Sequence, residues 1–238
     1  MSAGSRGAGI FRFVKSFIAG DNVSIRLCII EESQDVPPTN EDVLDEISAI
    51  CYSKSIPLSI VRLICSDQIR LFRLASFSDL LIIEKPILQH LTIGHDFSVN
   101  SCASIAVPAD FDSISNILLV VDGTPHTIEG VKQFFQTFPD LVGRSDVNVL
   151  SLEGGDSVLS TEEELLFLAY LKQYNKSLAI LKVEEPITGK LLKPVQYDDH
   201  TIVVGNINYL LSKYGEEEIF KPFFDNKSSL FFPSLIEG

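Results

Sequence analysis

Tryptophan is absent from the 238 residues, methionine occurs once, and cysteine and histidine occur four times each. The cysteines, Cys28, Cys51, Cys65 and Cys102, all lie in the first half and none forms a Cys-x-x-Cys pair. That spacing excludes the common zinc and dithiol patterns and suggests no disulfide framework. Each cysteine sits in or beside an apolar run, where a thiol packs as a small hydrophobe, so a reducing cytoplasm is the expected compartment. No apolar run approaches the ~20 residues of a membrane helix, and no membrane partner is expected. Positive charge is scarce too: 19 Lys and Arg against 32 Asp and Glu leave a net charge of −13. Such a surface repels phosphate backbones, so nucleic acid is not an expected partner. A Gly-x-Ser-x-Gly elbow is missing, and nothing near Cys102, the most loop-like thiol, lowers its pKa. No enzyme activity is expected.

What is present is a repeat, the signal that outranks others in fixing architecture. The strand Ile117-Leu118-Leu119-Val120-Val121-Asp122 runs into the turn Gly123-Thr124-Pro125 and an amphipathic stretch to Phe138. A shift of 121 residues places Asp122 on Met1 and pairs Gly130 with Gly9, Val131 with Ile10, Phe134 with Phe13, Phe135 with Val14 and Phe138 with Phe17. The same shift pairs Val203-Val204-Gly205 with Ile82-Ile83-Glu84. The chain therefore holds two copies of one unit, 1–110 and 116–238, joined by a short linker around Asp110 to Ser115. The first copy lacks its opening strand.

Helical spacing in the first copy predicts a helix through Ile10, Phe13, Val14 and Phe17. A second helix is capped by Asn40 and buries Val43, Leu44, Ile47, Ile50 and Cys51. Strands are expected over Val23–Ile30, from Pro57 to Cys65, over Leu80–Ile83 and over Ser104–Val107, with a helical turn or two over Ile69–Ala75. The second copy adds strands Val147–Leu152, Leu178–Val183, Thr201–Val204 and Ser229–Phe232. Ser160-Thr161-Glu162-Glu163 reads as a capping-box start, followed by a helix with Leu165, Leu168, Ala169 and Leu171 as its apolar residues. Strands alternating with helices imply an α/β fold with parallel sheets and helices on both faces.

The second copy resembles a universal stress protein domain, on the strand Ile117–Val121 into Asp122-Gly123-Thr124, the helix after it, and the later strand ending Val203-Val204-Gly205. With the weaker copy in front, nearly the whole chain resembles a tandem universal stress protein. The resemblance implies a five-stranded parallel sheet per copy, ordered 3-2-1-4-5, with the two copies mimicking a dimer. Some members bind ATP outside the carboxyl ends of the strands, with the phosphates on a loop of pattern Gly-x2-Gly-x9-Gly-[Ser/Thr] after strand 4. There glycines let backbone N–H groups approach phosphate oxygens. Here Gly205 fills the first position, but Asn208, Glu218 and Ile219 fill the rest, and Glu216-Glu217-Glu218 would repel a triphosphate. In the first copy Glu84, Ile87, Phe97 and Ser98 occupy the four positions. The resemblance thus implies a non-ATP-binding type: no cofactor, an unidentified protein partner, and a regulatory or binding role linked to stress. The alternative is residual adenine-nucleotide binding in the second copy through Asp122, Gly123, Thr124 and Gly205.

Other polar groups read as ordinary loops or helix ends. His200 after Asp198-Asp199, and His90, His95 and Asp96, match no metal-ligand spacing, and His126 falls in a solvent-facing first turn. Phe220, Phe223, Phe224, Phe231 and Phe232 concentrate near the C-terminus. They read as core, and partly as a contact between copies or subunits, so a homo-oligomer is an open expectation. Arg6, Arg12 and Lys15 with no acid in the first 20 residues resemble a targeting segment, which the repeat explains instead as a folded helix. Loss of the first strand would either expose two strand edges or force its neighbours together. Ser2-Ala3-Gly4-Ser5 has the composition of the turn that follows a strand, which favours a natural start upstream of Met1 over a true deletion.

Overall fold

In the computed structural model the described residues are 8–17, 24–31, 41–64, 68–85, 102–153, 160–184, 201–205 and 228–234. The first half contributes α1 (Ala8–Phe17), β1 (Ile25–Glu31), α2 (Glu41–Ser53), β2 (Leu58–Ile64), α3 (Gln68–Ala75), β3 (Leu80–Glu84) and β4 (Ala103–Val107). The second contributes β5 (Asn116–Val121), α4 (Pro125–Thr137), α5 (Pro139–Arg144), β6 (Asp146–Glu153), α6 (Thr161–Tyr174), β7 (Leu178–Glu184), β8 (Thr201–Gly205) and β9 (Ser229–Phe232). The protein is a mixed α/β fold with a mostly parallel central sheet.

Local chemistry sets the element ends. Thr124 caps α4 and Pro125 occupies its first turn, where a missing N–H costs nothing. Pro139 cannot continue α4, so the chain breaks at Phe138 and restarts as α5; the sequence signal for α4 ends at Phe138 and gives no hint of that extra turn. The expected capping box is present on α6. Ser160 Oγ accepts from the Glu163 N–H at 3.3 Å, and Glu163 Oε2 accepts from the Ser160 N–H at 2.8 Å. These bonds from Ser160 hold the Glu163 carboxyl below its usual range. At the other end, buried Asn175 donates to the carbonyls of Val142 and Ser145 at 2.8 and 2.7 Å, tying α5 to the end of α6. The inward face of α6 is Phe167 and Leu171, with Leu168 partly buried; Leu165 and Ala169, expected among its apolar residues, face solvent.

The strands form a seven-stranded sheet, β3-β4-β9-β8-β5-β6-β7, and a separate pair, β1-β2. All neighbours run parallel except β4 and β9, which are antiparallel. Within each half the strands are parallel as expected, and the antiparallel step lies where the sheet passes from β4 to β9. Phe13 of α1, Val131, Phe134 and Phe135 of α4, Leu141 and Val142 of α5, and Phe167 and Leu171 of α6 cover one sheet face. They pack on Ile105, Val107, Ile117, Leu119, Val147, Val149, Ile202, Val204 and Phe231. The opposite face is buried as well, through Leu118, Val120, Leu150, Leu152, Leu230 and Phe232. This is why the central strands read as unbroken apolar runs.

Each half holds a corresponding pair of parallel ladders. β1 and β2 pair from Ile25·Leu58 to Glu31·Ile64, and β6 and β7 from Val147·Leu178 to Glu153·Glu184. Shifts of 122 on the first strand and 120 on the second convert one ladder into the other. Leu81·Ser104 and Ile83·Ala106 become Ile202·Ser229 and Val204·Phe231 under shifts of 121 and 125. The helices seat alike too. A Cβ on Gly130 would lie 2.9 Å from Pro233 Cγ, and one on Gly9 would strike the Pro108 carbonyl oxygen, so each helix presses on the proline that closes its half's last strand.

Across the β4–β9 join, Ile105 faces Phe231, flanked by Ser104·Phe232 and Ala106·Leu230. Phe231 stacks edge-on to Phe134, with ring centroids 5.0 Å apart, and Phe13 reaches Phe138 at 6.2 Å and Phe111 at 5.3 Å. The C-terminal phenylalanines within the described residues thus serve both core and inter-half contact; Phe220, Phe223 and Phe224 lie outside them. Phe231→Ala is expected to lose about 3–5 kcal/mol of stability in urea unfolding. Leu166→Ala, at a side chain 65% exposed, is expected to stay within about 0.5 kcal/mol of the parent. Equal costs in the two variants would contradict this packing.

Candidate functional site

β5 is the central strand at which the direction of the sheet connections reverses. The chain goes from β5 to β6 and β7 on one side, then returns to β8 on the other. Open α/β sheets bind ligands at the carboxyl ends of strands flanking such a point. The structure brings Asp122, Gly123, Thr124 and Gly205 to this end: Val120 pairs with Gly205, and residues 122–124 follow β5 directly.

The β5–α4 turn is held by its own side chains. Asp122 Oδ1 accepts from the Thr124 N–H at 2.9 Å, from the Thr124 hydroxyl at 2.7 Å and from the Thr127 hydroxyl at 2.5 Å. Thr124 Oγ1 in turn accepts from the Thr127 N–H at 3.3 Å. Gly123 has φ 77°, a left-handed conformation that disfavours other residues at this turn. Thr127 is fully buried and was not a candidate from the sequence. Its signal was available: a threonine three residues after the cap, where the side chain points back at the turn. Gly205 is explained by packing. A Cβ there would lie 2.8 Å from the Val120 carbonyl oxygen and 3.1 Å from Val120 Cβ. Asn208, Glu216, Glu217, Glu218 and Ile219 lie outside the described residues.

The corresponding end of β3 is different. Glu84, in the place of Gly205, is buried, and so is Lys85 after it, only 3% exposed. Burial pulls the Lys85 ammonium down to about 7, against the opposing pull of Asp110. Sequence reading missed Lys85, although a lysine directly after an apolar strand is a visible oddity. Ile87, Phe97 and Ser98, and Met1 at the place of Asp122, lie outside the described residues.

The other candidates separate cleanly. His126 is exposed at the start of α4. His90, His95, Asp96, Asp198, Asp199 and His200 lie outside the described residues, within which no group of three or more His, Cys, Asp and Glu side chains could hold a metal. Cys51 and Cys102 are buried free thiols, both pushed up by burial; at Cys102 a backbone hydrogen bond from Leu81 pulls the other way. Neither environment generates a thiolate nucleophile. Among the described residues no helix is long and apolar enough to cross a membrane.

Neither a family model nor a curated protein matches the chain. Among solved structures it is similar to PA1789, a functionally unknown protein from Pseudomonas aeruginosa PAO1, with a TM-score of 0.53 and 13% identity. The match covers 95% of this chain and 87% of that one. At that identity the likeness is one of fold alone.

The buried lysine has a measurable consequence. The unfolded chain keeps a proton on Lys85 up to its ordinary value of 10.5, whereas the folded chain releases it near 7. Unfolding therefore takes up a proton between these values, and this group makes stability rise with pH from about 7 to 10. Lys85→Met is expected to flatten that slope and to gain most, relative to the parent, below pH 7. Denaturation midpoints across this range check it; parallel curves for parent and variant would refute it.

Proposed function

We propose that the chain is a degenerate tandem universal stress protein, with units 1–110 and 116–238, that acts as a non-enzymatic regulatory or binding module and has lost ATP binding in both units. The observation that carries this reading is the hydrogen bonding inside the β5–α4 turn. Asp122, the residue that would face adenosine in a binding member, spends one carboxylate oxygen on three local donors. Gly205, the remnant of the phosphate loop, is required where it stands by contact with Val120. Both retained residues thus have structural reasons to persist without a nucleotide. Acidic residues at 216–218 add repulsion toward a triphosphate, and the first unit carries a buried glutamate where a phosphate-binding glycine would sit.

The tandem architecture draws support from the strand order. Within the second half β7-β6-β5-β8-β9 reads 3-2-1-4-5. The corresponding parallel ladders of the halves and their antiparallel contact through last strands, β4 against β9, fit two copies arranged as a dimer would be. The location within a cell and the protein partner belong to the same proposal.

A second reading is favoured by one observation: Asp122, Gly123, Thr124 and Gly205 converge on the switch point of the second half. On that reading adenine nucleotide still binds there. Calorimetric titration with ATP and magnesium separates the two, with no saturable heat expected below about 1 mM ligand. Sub-millimolar binding that Asp122→Ala abolishes and Thr127→Val, which loosens the same turn, preserves would replace the first reading with the second.

A further inference from the structure

The outward face of α6 departs from the usual polar surface of such a helix. Leu165 and Leu166 are 63% and 65% exposed, and Ala169, one turn on, is exposed as well. A single leucine at a surface is ordinary, but the corresponding helix of the first half shows what these positions otherwise carry. A shift of 120, the one that places β2 on β7, puts the buried Ile47 and Cys51 of α2 on the buried Phe167 and Leu171 of α6. The same shift puts Asp45 and Glu46, both exposed, on Leu165 and Leu166. The two helices bury matching faces and present different chemistry to the outside.

Charge is ordered along the same face. At 3.6 residues per turn, Glu162, Leu165, Ala169 and Lys172 form one stripe on the side away from Phe167 and Leu171, with Leu166 beside it. The stripe is acidic at its start, apolar in its middle and basic at its end. The neighbouring acids are engaged within the chain, Glu163 in the cap with Ser160 and Glu164 with Lys182 Nζ at 2.9 Å. Glu162 and Lys172 are exposed and lie too far apart along the helix to meet each other. Phe231 and Phe232, the apolar candidates for a subunit contact, are buried in the join between the halves.

We propose that the outward face of α6 is a dimer interface whose occupant is α6 of a second copy of this chain, packed antiparallel across a two-fold axis. An axis at the level of residue 167 sets Glu162 of each copy against Lys172 of the other and Leu165 against Ala169, because both pairs are centred there. A stripe with acid at one end and base at the other complements itself in this orientation, whereas a parallel pairing would set like charges together. Antiparallel helices also align their dipoles favourably. The small side chain of Ala169 lets the helix axes approach to about 8–10 Å. One helix pair buries less than the ~1,200 Å² at which stable interfaces begin, so the dimer is a weak one that forms at micromolar concentrations and above.

Sedimentation equilibrium of the full chain across the micromolar range is expected to show a monomer–dimer equilibrium. Leu165→Asp, at a position that α2 fills with an acid, is expected to weaken it at least about tenfold and to leave the Tm of the dilute chain unchanged. Glu162→Lys and Lys172→Glu are each expected to weaken the homodimer, because like charges then meet twice. Mixing these two variants is expected to restore association, since one then carries bases at both positions and the other acids. A parent that stays monomeric, a dimer indifferent to Leu165→Asp, charge variants that dimerise as well as the parent, or charge variants that fail to associate on mixing would each overturn the proposal.

Discussion

A two-stranded ribbon cannot hold a hydrophobic core alone, and the described residues of the first half form two of them. β3 and β4 escape the limit because β4 lies against β9, which extends their sheet into that of the second half. The ladder is short, three residue pairs, and its strength comes from what lies on it. Ile105 and Phe231 are both completely buried, and the rings of Phe13, Phe134 and Phe138 close over the join in mostly edge-to-face contacts. The β1–β2 ribbon has no such neighbour among the described strands; it rests on α1 and α2 through Val14, Ile25, Ile47, Cys51 and Leu58. Stability is therefore graded, highest around the join and lowest at β1–β2.

The same grading bears on the two sheet ends where a ligand could sit. At the end of β5 one carboxylate oxygen of Asp122 gathers the Thr124 N–H and the hydroxyls of Thr124 and Thr127 beside a left-handed glycine. At the end of β3 a glutamate and a lysine are buried in a setting where the ammonium is only weakly held in its charged form. The two strand ends carry different chemistries.

Much of this was legible from the sequence. The shift of 121 residues located α1, α4, β3 and β8, because buried apolar faces must recur wherever the same helix meets the same strand. The capping box at Ser160 was visible because it depends on residues three apart. The antiparallel join was not legible: strand direction across the interface depends on how two folded halves meet, and no local pattern encodes it. α6 misled for a different reason. Leu165, 63% exposed, and Leu166 place leucines on a solvent face, so apolar content there does not report the inward side. Asp122, Gly123, Thr124 and Gly205 were readable as a group, yet the role of Thr127 required knowing where its hydroxyl points. The phosphate-loop positions beyond Gly205 lie outside the described residues.

The most direct test of the shared sheet is native-state hydrogen exchange at Ala103–Val107 and Ser229–Phe232 under rising denaturant. If the β4–β9 join ties the halves into one cooperative unit, both sets of amides exchange only through global unfolding and their opening free energies converge, while β1–β2 opens earlier. Exchange of β4 together with β1–β2, at an opening free energy well below that of β9, would show that the first half opens as a separate unit and would contradict the central role given to the join.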